Sequence, residues 1–343
     1  MQASTSNQGM FWEEARELFE ELVSWLDSDS ICGLEHGEIE SKLLENGYEL
    51  LRKLLQGYFD KRSEDEIEGL AEGSDEAKRS HKKRLTRKLT TIFGTVIANR
   101  IGYGGRKINS LIPLDAELNL PVEQYSHGLR QRVAVEVARS GFRETVAIIE
   151  KTTAAKIGKR QAEELAYHSA SDFDDFYRHQ QAQSLELEET GEIVVISTDG
   201  KGVVVRTEDL RADTQKRAQA ASKKLNKRLT KGEKRHNANY LKYDDYLKAG
   251  LPIATGVIEG ACRHLIKDRM DITGARWSLA GAEAVLRLRS LYISGDWHEY
   301  WRFHLQQEHK RNHLSLYKDG IPFMKRVIQA HCSISPPSIA MPV

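Results

Sequence analysis

Apolar positions in the first sixty residues recur at intervals of three and four. Phe11, Ala15, Leu18, Phe19, Leu22, Val23 and Leu26 mark one helical face over Phe11–Leu26, because residues three and four apart lie above one another on an α-helix. Leu43, Leu44, Leu50, Leu51, Leu54 and Leu55 repeat the pattern over Ile39–Phe59, and the polar stretch Asp27–Glu38 joins the two helices. Ser63–Asp75 is polar, acidic and glycine-containing, and reads as a linker. At Ile92–Ile101 the pattern changes to an imperfect alternation, which predicts a strand ended by Gly102–Gly105. Leu111–Pro113 and Leu118–Pro121 are short apolar pieces bracketed by prolines. Helices are predicted again over Ser126–Ala138, with Ser126 as N-cap, and over Glu144–Lys151.

In "TTAAKIGKRQAEELA" (Thr152–Ala166), small residues and Gly158 lead into an amphipathic helix starting near Lys159. Two helices joined by a short glycine-bearing turn fit a helix-turn-helix, with Lys159, Arg160 and Gln161 at the DNA-facing start of its second helix. An ordinary helical hairpin fits the same pattern. "DFDDFY" (Asp172–Tyr177) reads as the turn that closes this helical part. Further on, the apolar run Ile193–Ile196 enters "STDGKG", and Val203–Val205 follows, as in two strands joined by a tight turn. Thr207–Asn239 is polar and basic. Asn239–Ala249 is helix-like until Gly250-Leu251-Pro252 breaks it. Val257–Arg289 reads as helical, and Asp296–His309 as an aromatic amphipathic helix. The Pro/Ser-rich tail from Ile334 is expected to be disordered. The fold class expected is mostly α with a small β component, α+β.

Composition changes this picture through charge. Met1–Glu76 holds twenty Asp+Glu against six Lys+Arg, a net of −14; the whole chain is +1, so the remainder carries +15. The basic residues come in blocks: "KRSHKKRLTRKL" (Lys78–Leu89) has seven and no acid, and Lys216–Arg235 has nine against one Glu. An acidic arm beside a basic body points to a nucleic acid partner, and two solvated faces without a partner fit the same asymmetry. No apolar run is long enough to span a bilayer, and the N-terminus lacks a signal-peptide pattern, so a cytoplasmic, nucleoid-associated protein without membrane contact is expected. Cys32, Cys262 and Cys332 are isolated and form no zinc or disulfide framework.

Two acidic residues carry the candidate chemistry. Asp199 stands where an apolar strand ends, and flanking Gly200 and Gly202 let another backbone come close. A carboxylate held there suits Mg²⁺ or Mn²⁺, hard cations that prefer oxygen ligands. A pair of such ions activates a nucleophile and stabilises a leaving 3′-oxygen. Asp-Gly is also a favoured hairpin turn, and both readings stand. Glu259 opens a helix in which Arg263 and Lys267 follow at i+4 and i+8. That spacing puts a metal-ligating glutamate beside cations that grip phosphates, or makes an ordinary helix salt bridge. Lys201, Arg269 and Arg276 extend the basic surface, and Trp277 is a candidate for stacking on a displaced base.

"STDGKGVVVR" (Ser197–Arg206), "GLPIATGVIEGACRHLIKDRMDITGARWSLAGAEAVLRLRSL" (Gly250–Leu291) and "GDWHEYWRFH" (Gly295–His304) resemble the bacterial insertion-sequence transposases of the Kra-type group. "PLDAELNLP" (Pro113–Pro121) and "KRQAEELA" (Lys159–Ala166) continue the resemblance, which covers roughly Ile92 to His313. It implies a DDE enzyme with an RNase-H-like domain that cuts element ends and joins them to a target, using two Mg²⁺ (or Mn²⁺) ions. Asp199 resembles the first aspartate, Glu259 the glutamate, and the upstream helices the region that binds element-end DNA. The resemblance also implies a homo-oligomer or an assembly with a full-length transposase. One departure stands out. Glu259 follows Asp199 by only 60 residues, and no apolar strand ending in Asp lies between them. An internal deletion of the second aspartate, and impaired catalysis, follow from this. Asp209, Asp213 and Asp244 are the substitutes an active enzyme would use. A non-enzymatic DNA-binding remnant or repressor is the other outcome. The organisation expected is an acidic helical region at 1–76, a basic, mainly helical DNA-binding region at 77–185, a truncated RNase-H-like domain at 186–313 and a tail at 314–343.

Overall fold

The computed structural model describes residues 10–66, 72–77, 79–183, 203–220, 248–250, 260, 262–271 and 276–322. Asp199, Lys201, Asp244 and Glu259, the turn "STDGKG", the block beyond residue 220 and the tail from Ile334 lie outside these residues. The chain divides into two compact units. One comprises Met1–Val133, Thr145–Lys159 and Trp301–Val343; the other comprises Ala134–Glu144 and Arg160–Tyr300. None of the expected boundaries at 76, 185 and 313 coincides with a division between them. Among the described residues no helix is long and apolar enough to cross a membrane.

The first unit begins with a helical hairpin, α1 (Glu13–Leu26) and α2 (His36–Glu64), as the three–four spacing predicts. α2 starts in a capping box: Glu35 N–H donates to Glu38 at 2.9 Å, and the Glu35 side chain accepts from the backbone of Glu38. α2 then packs on a three-stranded antiparallel sheet of β1 (His81–Thr91), β2 (Gly94–Gly105) and β3 (Ile108–Leu111), in that order. Phe59, Leu89, Val96, Ala98 and Leu120 form the shared core. This packing is why no domain boundary falls near residue 76.

The strand pattern differs from expectation in two ways. From His81 on, the basic block is itself a strand, β1, paired residue for residue with β2 from His81↔Gly104 to Thr91↔Gly94. The glycines at 102–105 do not end β2 but lie within it. A Cβ on Gly102 would come within 2.7 Å of Leu85 Cδ1, so the glycine permits close approach across the hairpin. Gly94, at φ +113°, makes the tight β1–β2 turn that L side chains resist.

β3 pairs with β2 only at Tyr103 and Gly105. Further along, side chains of the α2 region take the place of a strand. Gln56 Nε2 donates to Ile97 O at 2.9 Å, and Ile97 N–H donates back to Gln56 Oε1 at 2.7 Å. Ile101 N–H donates to Glu66 Oε2 at 2.8 Å. An otherwise open sheet edge is thereby satisfied.

The short helix α3 (Pro113–Glu117) and α4 (His127–Arg139) follow, with Ser126 Oγ accepting from Leu129 N–H at 3.2 Å as the predicted N-cap. α5 (Phe142–Thr152) and α6 (Lys159–Ser169) match the predicted helices. "DFDDFY" proves to be the start of a further helix, α7 (Phe173–Gln183), rather than a closing turn. Asp174 and Asp175 in its first turn suit a helix N-terminus. α8 spans Ala212–Ala220. The expected helix over Val257–Arg289 is broken: a π-helical turn, Cys262–Lys267, runs into Asp268–Met270, and Trp277 is extended. α9 (Leu279–Ser294) starts afresh, with Ser278 Oγ accepting from Gly281 N–H at 3.1 Å, and ends at Gly295 with φ +86°. α10 spans Trp297–Asn312.

In the second unit, Phe176 meets Tyr300 edge to face at 5.5 Å, and Tyr300 O–H donates to Ser169 O at 2.6 Å. Ala282, Val285, Leu288 and Leu291 give α9 its buried face. The architecture is mostly helical with one small sheet among the described residues, an α+β chain.

Candidate nucleic-acid interface

The two segments that follow the carboxylate motifs meet in the second unit. Trp277 N–H donates to Val204 O at 3.1 Å, and Arg206 N–H donates to Trp277 O at 2.8 Å, making a parallel bridge between Val205 and Trp277. Chain just downstream of "STDGKG" in sequence therefore lies beside Trp277, eighteen residues beyond Glu259 in sequence. This contact joins residues about seventy apart in sequence, and no local spacing announces it.

The cations expected on this surface fall into two groups. Arg263, Lys267 and Arg276 are exposed. Arg269 and Trp277 are not: they are 3% and 7% exposed. The Arg269 guanidinium lies 4.8 Å from the Trp277 ring centroid and 5.1 Å from that of Phe142, and its Nε donates to Val137 O at 3.1 Å. Trp277 Nε1 donates to Met270 O at 3.2 Å. The expected DNA contacts of Arg269 and base stacking by Trp277 are thus corrected. Both belong to a packed cation–π cluster, with Arg269 over the indole, Phe142 tilted against it at 6.1 Å and the indole N–H satisfied. Burial, with Arg289 nearby, pulls the Arg269 pKa down to about 10.

The π-helical turn alters the expected i,i+4 alignment of Arg263 with Lys267, because hydrogen bonds to i+5 widen the turn. A side chain from α9 holds it: Arg289 Nε donates to His264 O at 2.9 Å and its Nη1 to Ala138 O at 2.6 Å. Arg263 and Lys267 are thereby presented from a braced segment. At the predicted recognition helix, Lys159 and Arg160 are exposed at the start of α6, and Arg160 Nε donates to Glu164 at 3.1 Å.

The first unit holds a second basic feature, within "KRSHKKRLTRKL". Not all of it faces solvent. Arg79 grips Asp75 through two hydrogen bonds of 2.9 Å, and Arg87 donates to Glu123 O. Lys82, Arg84 and Lys88 are exposed and share one face of β1, at the sheet edge. Such a row discourages pairing with a foreign strand and also suits a phosphate backbone.

Beside β2 a cavity of 680 Å³ is lined by Asp60, Glu64, Glu66, Arg84, Thr86 and Asn99. Burial pushes the Glu66 carboxyl up to about 7, and its Oε1 has no hydrogen-bond partner among the described residues. Three carboxyl groups face two arginines, Arg84 and Arg100, and Arg100 is also held by buried Asp115, so cations do not outnumber acids in this lining.

Asp209 sits in a short 3-10 turn, Thr207–Asp209, and Asp213 is exposed on α8. Among the described residues no three His, Cys, Asp or Glu side chains come together as a metal-binding group. The Asp199 and Glu259 ligands expected for Mg²⁺ lie outside those residues. Comparison of the chain with family models, curated proteins and solved structures finds no match.

Proposed function

We propose that this chain is a DNA-binding protein of Kra-type transposase ancestry, related to enzymes that cut and join insertion-sequence DNA by Mg²⁺-dependent phosphodiester transfer, and itself impaired in strand transfer by loss of the second aspartate. The observation that carries the reading is the Val205–Trp277 bridge. It brings the flank of the Asp199 motif beside a segment bearing exposed Arg263, Lys267 and Arg276. A transferase of this class needs its carboxylates close together and cations beside them to hold the phosphate backbone. On this reading, residues 186–313 are the remnant of an RNase-H-like domain, and Asp199 and Glu259 are two of the three original ligands. Lys159 and Arg160 on α6 contribute to end binding.

The test is binding of duplex DNA across a salt series, together with a cleavage assay in Mg²⁺ or Mn²⁺. The expected result is salt-sensitive binding without cleavage. Replacing Arg263, Lys267 and Arg276 by Gln should lower the slope of log K against log salt by about three, roughly one per lost phosphate contact. Cleavage that vanishes in Asp199→Ala and Glu259→Ala would overturn the impairment. A salt slope unchanged by the triple substitution would overturn the assignment of this surface.

A further inference from the structure

We infer that the cavity between the end of α2 and the β1–β2 hairpin binds a small organic cation, an aliphatic diamine or polyamine, through the carboxyl groups of Asp60, Glu64 and Glu66. None of these residues belongs to the DNA-binding surface of the second unit.

Two parts of the first unit face each other across the cavity. Asp60 and Glu64 stand in the last two turns of α2, and Glu66 follows two residues after its end. Arg84 and Thr86 on β1 and Asn99 on β2 supply the sheet side, with Thr86 and Asn99 opposite each other in register. The C-terminal end of a helix is the negative pole of its dipole, so α2 adds to the field of its own carboxylates.

The lining is negative once its internal pair is counted. Arg100 Nε lies 2.9 Å from Asp115 Oδ1, and those two charges cancel. Exposed Arg84 is then the one cation against three carboxyl groups, and among the described residues it makes no ion pair. Glu66 is the group most in need of a donor. It is 6% exposed; its Oε2 accepts from Ile101 N–H at 2.8 Å, and its Oε1 has no partner among the described residues. A buried acceptor left without a donor costs stability, and a ligand N–H at this wall supplies one. Burial pushes the Glu66 carboxyl up to about 7; Asp115 and Glu117 on α3 raise it further, while Ile101 N–H and Arg100 on β2 lower it. Tyr317, also close by, is kept neutral by its own burial. A cation beside Glu66 favours the ionised form and expels the proton.

The spread of the acids selects the kind of cation. Mg²⁺ and Ca²⁺ need several oxygens converging at about 2.0–2.6 Å. Among the described residues no three His, Cys, Asp or Glu side chains converge in that way. In a cavity of 680 Å³ the carboxyl groups stand apart. A chain with two or more ammonium groups reaches separate carboxylates and fills the space between them with methylenes. On the sheet side Thr86 Oγ1 donates to Asn99 Oδ1 at 2.9 Å, which leaves the Thr86 lone pairs to accept from an ammonium.

The test is isothermal titration of the full chain, free of nucleic acid and at low salt, with 1,4-diaminobutane and with spermidine. One site per chain is expected. Asp60→Asn with Glu64→Gln should weaken binding roughly tenfold, and Arg84→Gln should tighten it roughly threefold. A gain of affinity cannot come from misfolding. The diamine keeps both its charges at neutral pH, so its affinity should rise by up to about tenfold from roughly pH 6 to pH 8, as the proton on Glu66 no longer has to be displaced. Glu66→Gln should abolish that rise. Glu17→Gln with Glu21→Gln, exposed on α1 and outside the lining, is the control and should change nothing. Several weak sites per chain, or a control that lowers affinity as much as the cavity variants do, means diffuse counterions on the acidic arm and overturns the proposal. So does the absence of binding, and so does Mg²⁺ displacing the diamine at equal concentration.

Discussion

The most deeply buried arginine of each compact unit, Arg130 in the first and Arg269 in the second, is held in a different way. Arg130 in the first unit is 1% exposed and donates twice to Glu308, Nη1 to Oε2 and Nη2 to Oε1, both at 2.7 Å. Its Nη1 also donates to Nδ1 of His127 at 3.2 Å, while His127 Nε2 lies 2.7 Å from Asn119 O. Arg269 in the second unit has no such carboxylate partner among the described residues; two aromatic rings and a carbonyl surround it. A guanidinium paired with a carboxylate keeps its charge and makes the partner indispensable. One packed on aromatic rings is held as much by its flat shape as by its charge.

Other buried polar contacts of the first unit lie around this pair. Arg130–Glu308 ties α4 to α10, and α10 also holds the turn after α3, with His309 Nε2 2.6 Å from Ala116 O and His313 Nε2 2.7 Å from Leu120 O. That turn includes Asn119 at φ 47°. Asp115 lies buried with its Oδ1 2.9 Å from Arg100 Nε, a contact of charge rather than an aligned hydrogen bond. The "PLDAELNLP" stretch is thus anchored by buried polar groups.

The largest effect should come from breaking the paired site. Glu308→Ala leaves a buried guanidinium unpaired and should cost roughly 3–5 kcal/mol in urea denaturation. The double change Arg130→Met with Glu308→Leu should recover most of that. In the second unit, Arg269→Ala should cost roughly 2–4 kcal/mol, mostly through lost packing. Arg269→Lys should rescue little, since an ammonium lacks the flat face that lies against both Phe142 and Trp277. Equal losses for Glu308→Ala and Arg269→Ala with full rescue by Lys would erase the distinction.

A smaller effect sharpens the comparison within the first unit. Glu66 is pushed up to about 7 from 4.5, so the stability it contributes is present below pH 4.5 and lost as pH rises through 7. His127 is pulled down to about 4 from 6.5, by burial first and Arg130 second. Its contribution is therefore present above pH 6.5 and lost as pH falls through 4. The two slopes oppose each other between pH 4.5 and 6.5. Glu66→Gln removes one of them, so stability should rise across that window more steeply than in the native chain, by on the order of 1–3 kcal/mol. A melting-temperature series against pH checks this. The smallest effect on folding belongs to Arg263, Lys267 and Arg276. Their replacement by Gln should change stability by less than about 0.5 kcal/mol while weakening DNA binding.

Much of the helical architecture was legible in the sequence, because a helix depends on contacts three and four residues apart. α1, α2, α4, α5 and the Ser126 cap follow from local spacing and local hydrogen bonds. The basic block at 78–89 was legible as charge but not as a strand, since its strand character comes from pairing with β2 rather than from its own residues. The same limit separates the candidate cations. Arg263, Arg269 and Arg276 look alike in sequence, yet Arg269 is buried and the other two are exposed. What buries it is Phe142, more than a hundred residues away along the chain, and no local pattern records that contact.

By itself, then, the sequence determined where most of the helices form, the division between an acidic arm and a basic body, and the resemblance that motivates Asp199 and Glu259. The tertiary structure alone decided which cations face solvent, which segments lie beside one another at the Val205–Trp277 bridge, and that the N-terminal hairpin leaves part of its apolar face exposed. Periodicity says that a face is apolar. Only packing says whether something already covers it.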